Sequence, residues 1–122
     1  DFFQRINDGY GHAVGDQVLV AFARVARGCL REHDLLGRLG AGEFAILLPG
    51  TAVEEAVLVA ERVRRETAAI AIATENGTVQ FTASAGLTAA HMADTSVDDL
   101  LKRAAKALHD ARTGGHDRVV VA

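Results

Sequence analysis

Hydrophobic residues recur every three or four positions in three stretches of the chain, the spacing that gives a helix one apolar face. These stretches cover residues 16–31, 53–69 and 97–111. Thr51 with Glu54, and Ser96 with Asp99, match the capping-box pattern ahead of the second and third stretches. We therefore predict three helices, the last of which ends before Gly114.

Short apolar runs mark the predicted strands. Residues 35–39 and 44–48, joined by a glycine-containing turn, predict a hairpin; residues 79–89 alternate as a half-buried strand does; residues 118–121 form a final strand. The order α, hairpin, α, β, α, β predicts an α+β fold with helices on one face of a largely antiparallel sheet. Such a split βαβ sheet normally has a strand before its first helix, so we expect the chain to begin just after that strand.

The composition fits one globular domain spanning residues 1–122, because 49% of residues are hydrophobic, 24% are charged and only one is proline. A formal net charge of −3 gives no overall basic field, so we expect no nucleic-acid partner. No apolar run reaches the length of a membrane span, so we expect no membrane contact by this domain. The single cysteine, Cys29, excludes an internal disulfide, favours a cytoplasmic location and is interpreted as a core residue. The five histidines show no metal-ligand spacing.

Three segments carry candidate chemistry. Residues 7–16 place polar groups among glycines, residues 31–34 read Arg-Glu-His-Asp, and the predicted hairpin tip reads Gly40-Ala41-Gly42-Glu43-Phe44. Each segment also has a structural explanation: a turn former and a helix cap, a helix-ending arginine with a loop aspartate, and a tip that needs positive φ. Their combination favours a functional explanation.

Together with residues 1–6, 82–86 and 104–118, these segments resemble the GGDEF family over essentially the whole chain. Active members of this family are diguanylate cyclases, which condense two GTP molecules into cyclic di-GMP in bacterial signal transduction. The resemblance implies the ferredoxin-like α+β fold of nucleotide cyclases and polymerase palms, in a single domain trimmed at its N-terminus. Because a fold does not establish a function, each position has to be compared.

The family's signature, Gly-Gly-Asp/Glu-Glu-Phe, corresponds to residues 40–44, where Ala41 replaces a glycine and Gly42 replaces the acid. The resemblance implies that an active member uses Mg²⁺ or Mn²⁺, and such hard cations prefer carboxylate oxygens. Gly42 offers none, the family's other metal carboxylate would precede Asp1, and Glu43 is the residual signature acid. We therefore expect a degenerate catalytic site with little or no cyclase activity.

The resemblance also assigns substrate-binding roles. It implies that Asn7 and Asp16 read guanine, and that Phe2 and Phe3 contact phosphate through backbone amides, although their rings suit the core. Three further phosphate positions, lysine, lysine and arginine in the family, are occupied here by Gln4, Arg112 and His116. The lost and pH-dependent charges among these three predict weakened triphosphate binding.

A second nucleotide site is implied by Arg31 and Asp34, whose spacing to Gly40 matches the family's inhibitory site, with Arg62 as a supporting arginine. Arginine binds guanine or phosphate in a bidentate way, aspartate accepts from the guanine edge, and cyclic di-GMP offers two guanines and two phosphates. Our hypothesis is a degenerate GGDEF domain that binds cyclic di-GMP as a receptor or regulatory module.

Three alternatives stay open. In the first, cyclic di-GMP binds in the former substrate pocket around Asn7 and Asp16. In the second, the domain is a working cyclase in which Glu43 or another acid holds the metal. In the third, it is a regulatory module that forms a homodimer or binds GTP without chemistry.

Overall fold

The structure is a computed structural model that describes residues 1–90 and 96–122; His91, one of the five histidines, lies outside the described residues. The described helices are α1 (Phe3–Tyr10), α2 (His12–Gly28), α3 (Val53–Ala68) and α4 (Val97–Thr113). The described strands are β1 (Leu35–Gly40), β2 (Glu43–Leu47), β3 (Ile72–Thr74), β4 (Gly77–Val79), β5 (Ala85–Leu87) and β6 (Val119–Val121).

The strands associate in pairs. β1 with β2 and β3 with β4 are antiparallel, whereas β5 and β6 are parallel. The parallel pair follows from the chain order, because α4 lies between β5 and β6 in sequence and packs against both, as a crossover helix does. The α+β class and the mainly antiparallel pairing are confirmed.

The predicted hairpin and the three predicted helices are present, but the helix starts need correction. α2 begins at His12, four positions before the predicted start, because Gly11 at its N-cap has a φ of 92° and turns the chain directly into the helix. Neither capping box forms. The N-cap of α3 is Ala52, while the Thr51 hydroxyl contacts the Pro49 carbonyl oxygen (3.3 Å) and accepts a hydrogen bond from Arg31. Ser96 is the N-cap of α4, but its side chain makes no capping bond.

Helix α1 was not predicted from the sequence. Asn7, Asp8 and Gly9 have weak helix propensity and suggested a turn. The missed signal is the spacing of Phe3 and Ile6, which place apolar side chains on one side of the helix. Ile6 is buried in a cluster with residues 18, 79 and 81, so packing against α2 and the β4 end stabilises the helix.

The strand predicted over residues 79–89 is wrong in its middle. β4 ends at Val79, residues 80–84 have no strand partner in the described part of the chain, and pairing resumes where the Ala85 N–H donates to the Arg118 carbonyl oxygen at 2.9 Å. Asp1 takes up the polar groups of this segment. Its carboxylate accepts hydrogen bonds from the Thr82 and Ser84 hydroxyls at 2.7 and 2.8 Å.

A second buried cluster lies between α2, α3 and β1. It contains Ala26, Cys29 and Val63, with Phe22 and Leu36 packed against it. The prediction that Cys29 is a core residue is therefore confirmed, and its thiol is free. This cluster fixes the end of α2 against the middle of α3, the place where the second predicted nucleotide site lies.

Candidate functional site

The predicted site residues fall into two groups, at opposite ends of the β1–β2 hairpin. The hairpin-tip region comprises residues near the turn between the strands: Phe2, Phe3, Gly42, Glu43, Arg112 and His116. The arginine-loop region comprises residues near the end of α2 and on α3: Arg31, Asp34 and Arg62. The remaining pair, Asn7 on α1 and Asp16 on α2, lies on either side of the junction of these two helices.

The hairpin tip is packed against the start of α1 at the position where the family's acid is missing. Gly42 has a φ of 74°, which side chains rarely adopt, and a methyl group there would lie 2.9 Å from Phe3 Cβ. An acidic side chain would therefore strain the backbone and displace Phe3.

Glu43, the remaining signature acid, is already engaged. Its Oε1 lies 3.4 Å from both terminal nitrogens of Arg112, the α4 residue assigned to phosphate by the resemblance. Both side chains are more than two-fifths exposed, so the pair is screened by water and is weak. Glu43 and Arg112 are nevertheless each other's ion-pair partners in this arrangement.

Phe2 and His116 meet at the same end of the molecule. Their ring centroids are 4.4 Å apart, and the Arg5 guanidinium lies 4.8 Å from the Phe2 ring centroid. The expectation that the Phe2 ring belongs to the core is wrong, because its exposed fraction is 48%. Phe3, by contrast, is partly buried and packs against the Ile6 cluster.

The backbone around His116 is strained. His116 and Asp117 have φ values of 64° and 46°, and Phe2 has a φ of 60°, all in the left-handed region. The Asp117 N–H donates to the Asp1 carboxylate at 3.2 Å, which ties this loop to the start of the chain. Left-handed non-glycine residues gathered in this way are typical of ligand-binding loops.

The side-chain amide of Gln4 is bonded within helix α1 and not to the hairpin tip. Its Nε2 donates to Asp8 Oδ1 at 3.0 Å, one turn along α1. The lysine that the family has at this position would carry a charge, whereas this amide is both neutral and bonded within its own helix.

Asn7 and Asp16 are brought near each other by the packing of α1 on α2. The Asn7 side chain lies against Gly15, where a methyl group would fall 1.7 Å from Asn7 Oδ1. Asp16 follows in the next position on α2 and is exposed. Asp16 is inside the helix, so the alternative reading of this residue as an N-cap is wrong.

Asp34 is the most buried ionisable side chain among the predicted site residues, with an exposed fraction of 2%. Its Oδ2 accepts the Arg31 backbone N–H at 2.8 Å and lies 3.7 Å from Arg31 Nε. Its Oδ1 is buried and has no hydrogen-bond partner within the described residues. Arg27, one turn before Arg31, donates to the Asp34 carbonyl oxygen at 3.3 Å and was not predicted.

Arg62 is close to this loop in the fold but has a different partner. Its Nε lies 3.6 Å from Glu66 Oε1, one turn further along α3. Glu66 Oε2 in turn accepts a hydrogen bond from Cys29 Sγ at 2.8 Å. Burial, and then this hydrogen bond, raise the pKa of the Cys29 thiol to about 11, and the same bond lowers the pKa of the Glu66 carboxyl.

Arg64 links α3 to the loop after α4. Its guanidinium contacts Glu61 Oε2 at 2.8 Å and Asp117 Oδ1 at 3.0 Å, and it is only 22% exposed. The i, i+3 spacing of Glu61 and Arg64 was readable from the sequence. The contact with Asp117 was not, because 53 positions separate it from Arg64.

Among the described residues, no three His, Cys, Asp or Glu side chains are grouped so that they would hold a metal ion. Gly42 lacks a carboxylate and Glu43 is paired with Arg112, so the residues present at the hairpin tip do not fit a divalent metal site. In the described ranges, no helix has the length and apolar character needed to cross a membrane.

Comparisons with protein families, with individual proteins and with solved structures all lead to the same family. The family profile described as "Diguanylate cyclase, GGDEF domain" matches residues 1–118. Diguanylate cyclase DgcM of Escherichia coli strain K12 is 43% identical over 122 residues, which are 100% of this chain and 29% of DgcM. The chain thus spans less than a third of the length of that relative.

Two solved structures have the same fold. Diguanylate cyclase SiaD of Pseudomonas aeruginosa, solved in complex with its activator SiaC, has a TM-score of 0.94 and 41% identity, over 100% of this chain and 46% of the SiaD chain. The GGDEF domain of DgcB from Caulobacter crescentus, solved in complex with c-di-GMP, has a TM-score of 0.93 and 28% identity, over 99% of this chain and 72% of the DgcB chain.

Proposed function

Because this chain belongs to the GGDEF family of diguanylate cyclase domains, we propose that it acts in cyclic di-GMP signalling as a receptor whose own cyclase site is degenerate. The receptor site is the arginine-loop region, and the ligand is cyclic di-GMP. The proposal keeps the cytoplasmic location expected from the single cysteine.

The observation that carries this proposal is the buried Oδ1 of Asp34, which has no hydrogen-bond partner among the described residues. A buried carboxylate oxygen without a donor is unfavourable, and a ligand that supplies N–H groups removes that cost. The guanine edge has two neighbouring N–H donors, which suit a carboxylate. The DgcB domain, which has the same fold, was solved with this nucleotide, and that supports the choice of ligand.

Arg31 supplies the complementary positive charge. Its side chain is 60% exposed and contacts the Thr51 hydroxyl, so its guanidinium can turn to guanine acceptors or to phosphate. Asp34 is 2% exposed, so a ligand reaches its Oδ1 only after the surrounding side chains move. Arg27, in the last turn of α2, adds a second positive charge beside the loop. Together they compensate the two negative phosphates of cyclic di-GMP.

The state of the hairpin tip supports the degenerate part of the proposal. Gly42 stands at the position of the signature acid and lies against Phe3, and the neighbouring acid, Glu43, is paired with Arg112. The neutral Gln4 occupies a position where the family has a lysine. Active family members use Mg²⁺ or Mn²⁺, and the residues described at this tip do not fit such an ion. We therefore expect GTP to bind weakly and to remain unconverted.

Titration calorimetry with cyclic di-GMP tests the receptor function. We expect saturable binding by the wild type, a loss of about tenfold or more in Arg31→Ala, and little change in Arg24→Ala. Arg24→Ala is the matched control, because it removes the same charge from an exposed position on α2, the helix before the Arg31 loop. Absence of binding, or equal losses in both variants, would overturn the receptor function.

Incubation with GTP and Mg²⁺ or Mn²⁺, at high protein concentration, tests the degenerate cyclase site. We expect no cyclic di-GMP. Formation of product would establish instead the working cyclase that retains Glu43. Binding of GTP alone, or a GTP-dependent dimer in sedimentation, with no cyclic di-GMP binding, would establish the regulatory module without chemistry.

A further inference from the structure

We infer that Glu66 is a built-in competitor of the ligand for Arg62, and that Cys29 positions Glu66 for this role. The inference rests on the proposed function, because it assigns a regulatory role at the same receptor site. It adds residues to that site which are not nucleotide ligands themselves.

The position of Arg62 is the first support. Its guanidinium is directed along α3 towards Glu66 Oε1, at 3.6 Å from Nε, and not to the Asp34 loop. An arginine that binds guanine or phosphate in a bidentate way needs its guanidinium edge free. The contact through Nε holds the guanidinium in one orientation, so ligand binding through Arg62 competes with its contact to Glu66.

The contact of Glu66 with Cys29 is the second support. Glu66 is exposed and long, and such a side chain ordinarily samples several rotamers. Here its Oε2 accepts the Cys29 thiol proton at 2.8 Å, and Cys29 is fixed in the buried cluster with Ala26 and Val63. One carboxylate oxygen is held by the thiol, which leaves the other oxygen directed towards Arg62.

The strength of the competition is set by exposure. Arg62 and Glu66 are 56% and 45% exposed, so their pair is weak and a divalent anionic ligand displaces it readily. We therefore expect Glu66 to reduce the affinity for the ligand modestly and not to block the site.

Cyclic di-GMP titrations of Glu66→Gln test the competition. We expect about two- to fivefold tighter binding than in the wild type. Glu55→Gln is the matched control, because it removes the same charge from an exposed position in the first turn of the same helix, and we expect no gain from it. The gain from Glu66→Gln should vanish in the Arg62→Ala background, because no arginine is then released.

The role of Cys29 is tested without ligand. Since Cys29 is the only cysteine, the ultraviolet absorbance of its thiolate can be followed against pH in the folded protein. We expect the titration midpoint to lie lower in Glu66→Gln than in the wild type, because the Glu66 carboxylate opposes thiolate formation. An unchanged midpoint would overturn the positioning role of Cys29.

The outcomes separate this inference from the proposed function. Binding by the wild type that Glu66→Gln leaves unchanged or weakens would overturn the competition alone, as would an equal gain in the Arg62→Ala background. No binding by the wild type or by Glu66→Gln would overturn the receptor function and the competition with it. Binding by Glu66→Gln alone would overturn the receptor function of the wild-type chain.

Discussion

The hairpin-tip and arginine-loop regions each keep one acidic residue near arginine, but the two carboxylates differ in their surroundings. Glu43 is exposed and paired through Oε1 with Arg112, whereas Asp34 is 2% exposed and has one buried oxygen without a described partner. Water and a counterion satisfy the first carboxylate. The second is held in place by the Arg31 backbone and retains an unused acceptor, which gives it the greater capacity to bind a ligand.

This difference shows that the contacts of a residue, and not its type alone, decide how it can meet a ligand. At the hairpin tip the remaining groups contact one another: Glu43 with Arg112, and Phe2 with His116. In the arginine-loop region, the Arg31 backbone N–H holds Oδ2 of Asp34, and Oδ1 has no hydrogen-bond partner among the described residues. A ligand has to move the side chains around Asp34 to reach this oxygen, whereas at the tip it has to break an exposed ion pair.

The most severe way to break the comparison is Asp34→Asn, which changes the buried carboxylate to an amide of the same size. We expect cyclic di-GMP affinity to fall by about tenfold to a hundredfold, because the ligand loses a charged acceptor and Arg31 loses its counterion. Calorimetry measures the affinity and thermal unfolding checks the fold. A folded variant that binds like the wild type would contradict the role given to Asp34.

The second test restores the signature with Ala41→Gly and Gly42→Asp together. We expect the free energy of unfolding to fall by about 1–2 kcal/mol, because residue 42 has a left-handed φ and its new side chain would meet Phe3. Urea unfolding measures the change, and Ala41→Gly alone is the control. Unchanged stability together with conversion of GTP would show that the loop substitutions alone had disabled the tip.

A smaller effect is expected when the exposed pair at the tip is broken. Glu43→Gln frees Arg112, so we expect GTP to bind about two- to fivefold more tightly, with cyclic di-GMP affinity unchanged. Glu75→Gln, an exposed charge in the β3–β4 turn, is the control. Parallel changes for both nucleotides would mean that the two regions do not bind separately.

The smallest effect is a dependence of stability on pH at the arginine-loop region. The pKa of the Cys29 thiol is raised from 9.0 to about 11 in the folded protein, so at intermediate pH the unfolded chain holds fewer protons on this group. Stability from this source is complete below about pH 9 and declines as the pH rises towards about 11. Urea unfolding across this interval measures the decline, and Cys29→Ala should lack this contribution. A steeper loss in the variant would contradict the assignment.

The sequence was sufficient for the helices with long apolar periodicity and for the hairpin, because these elements bury one continuous face. It was insufficient for α1, where a single buried residue, Ile6, outweighs weak local propensity through tertiary packing. It also failed for residues 80–84, because alternation predicts a half-buried segment but not whether a neighbouring strand is present to pair with it.

The family resemblance located the candidate residues, and local spacing explains the Arg31–Asp34 contact, which closes within one loop. Contacts between distant parts of the chain were beyond it. Cys29 with Glu66 and Arg64 with Asp117 depend on how α2, α3 and the α4–β6 loop meet in space. No local sequence pattern predicts such contacts, because they arise when the apolar faces of separate elements pack together.

The contact of Arg64 with Asp117 limits how Arg62 can move. Positions two apart on a helix point in very different directions, so turning α3 about its axis to bring Arg62 towards the Asp34 loop would pull Arg64 away from Asp117. That ion pair, together with the contact between Arg64 and Glu61, opposes rotation of the helix. Under the proposed function, we therefore expect Arg62 to reach the ligand by a change of side-chain rotamer on a stationary backbone.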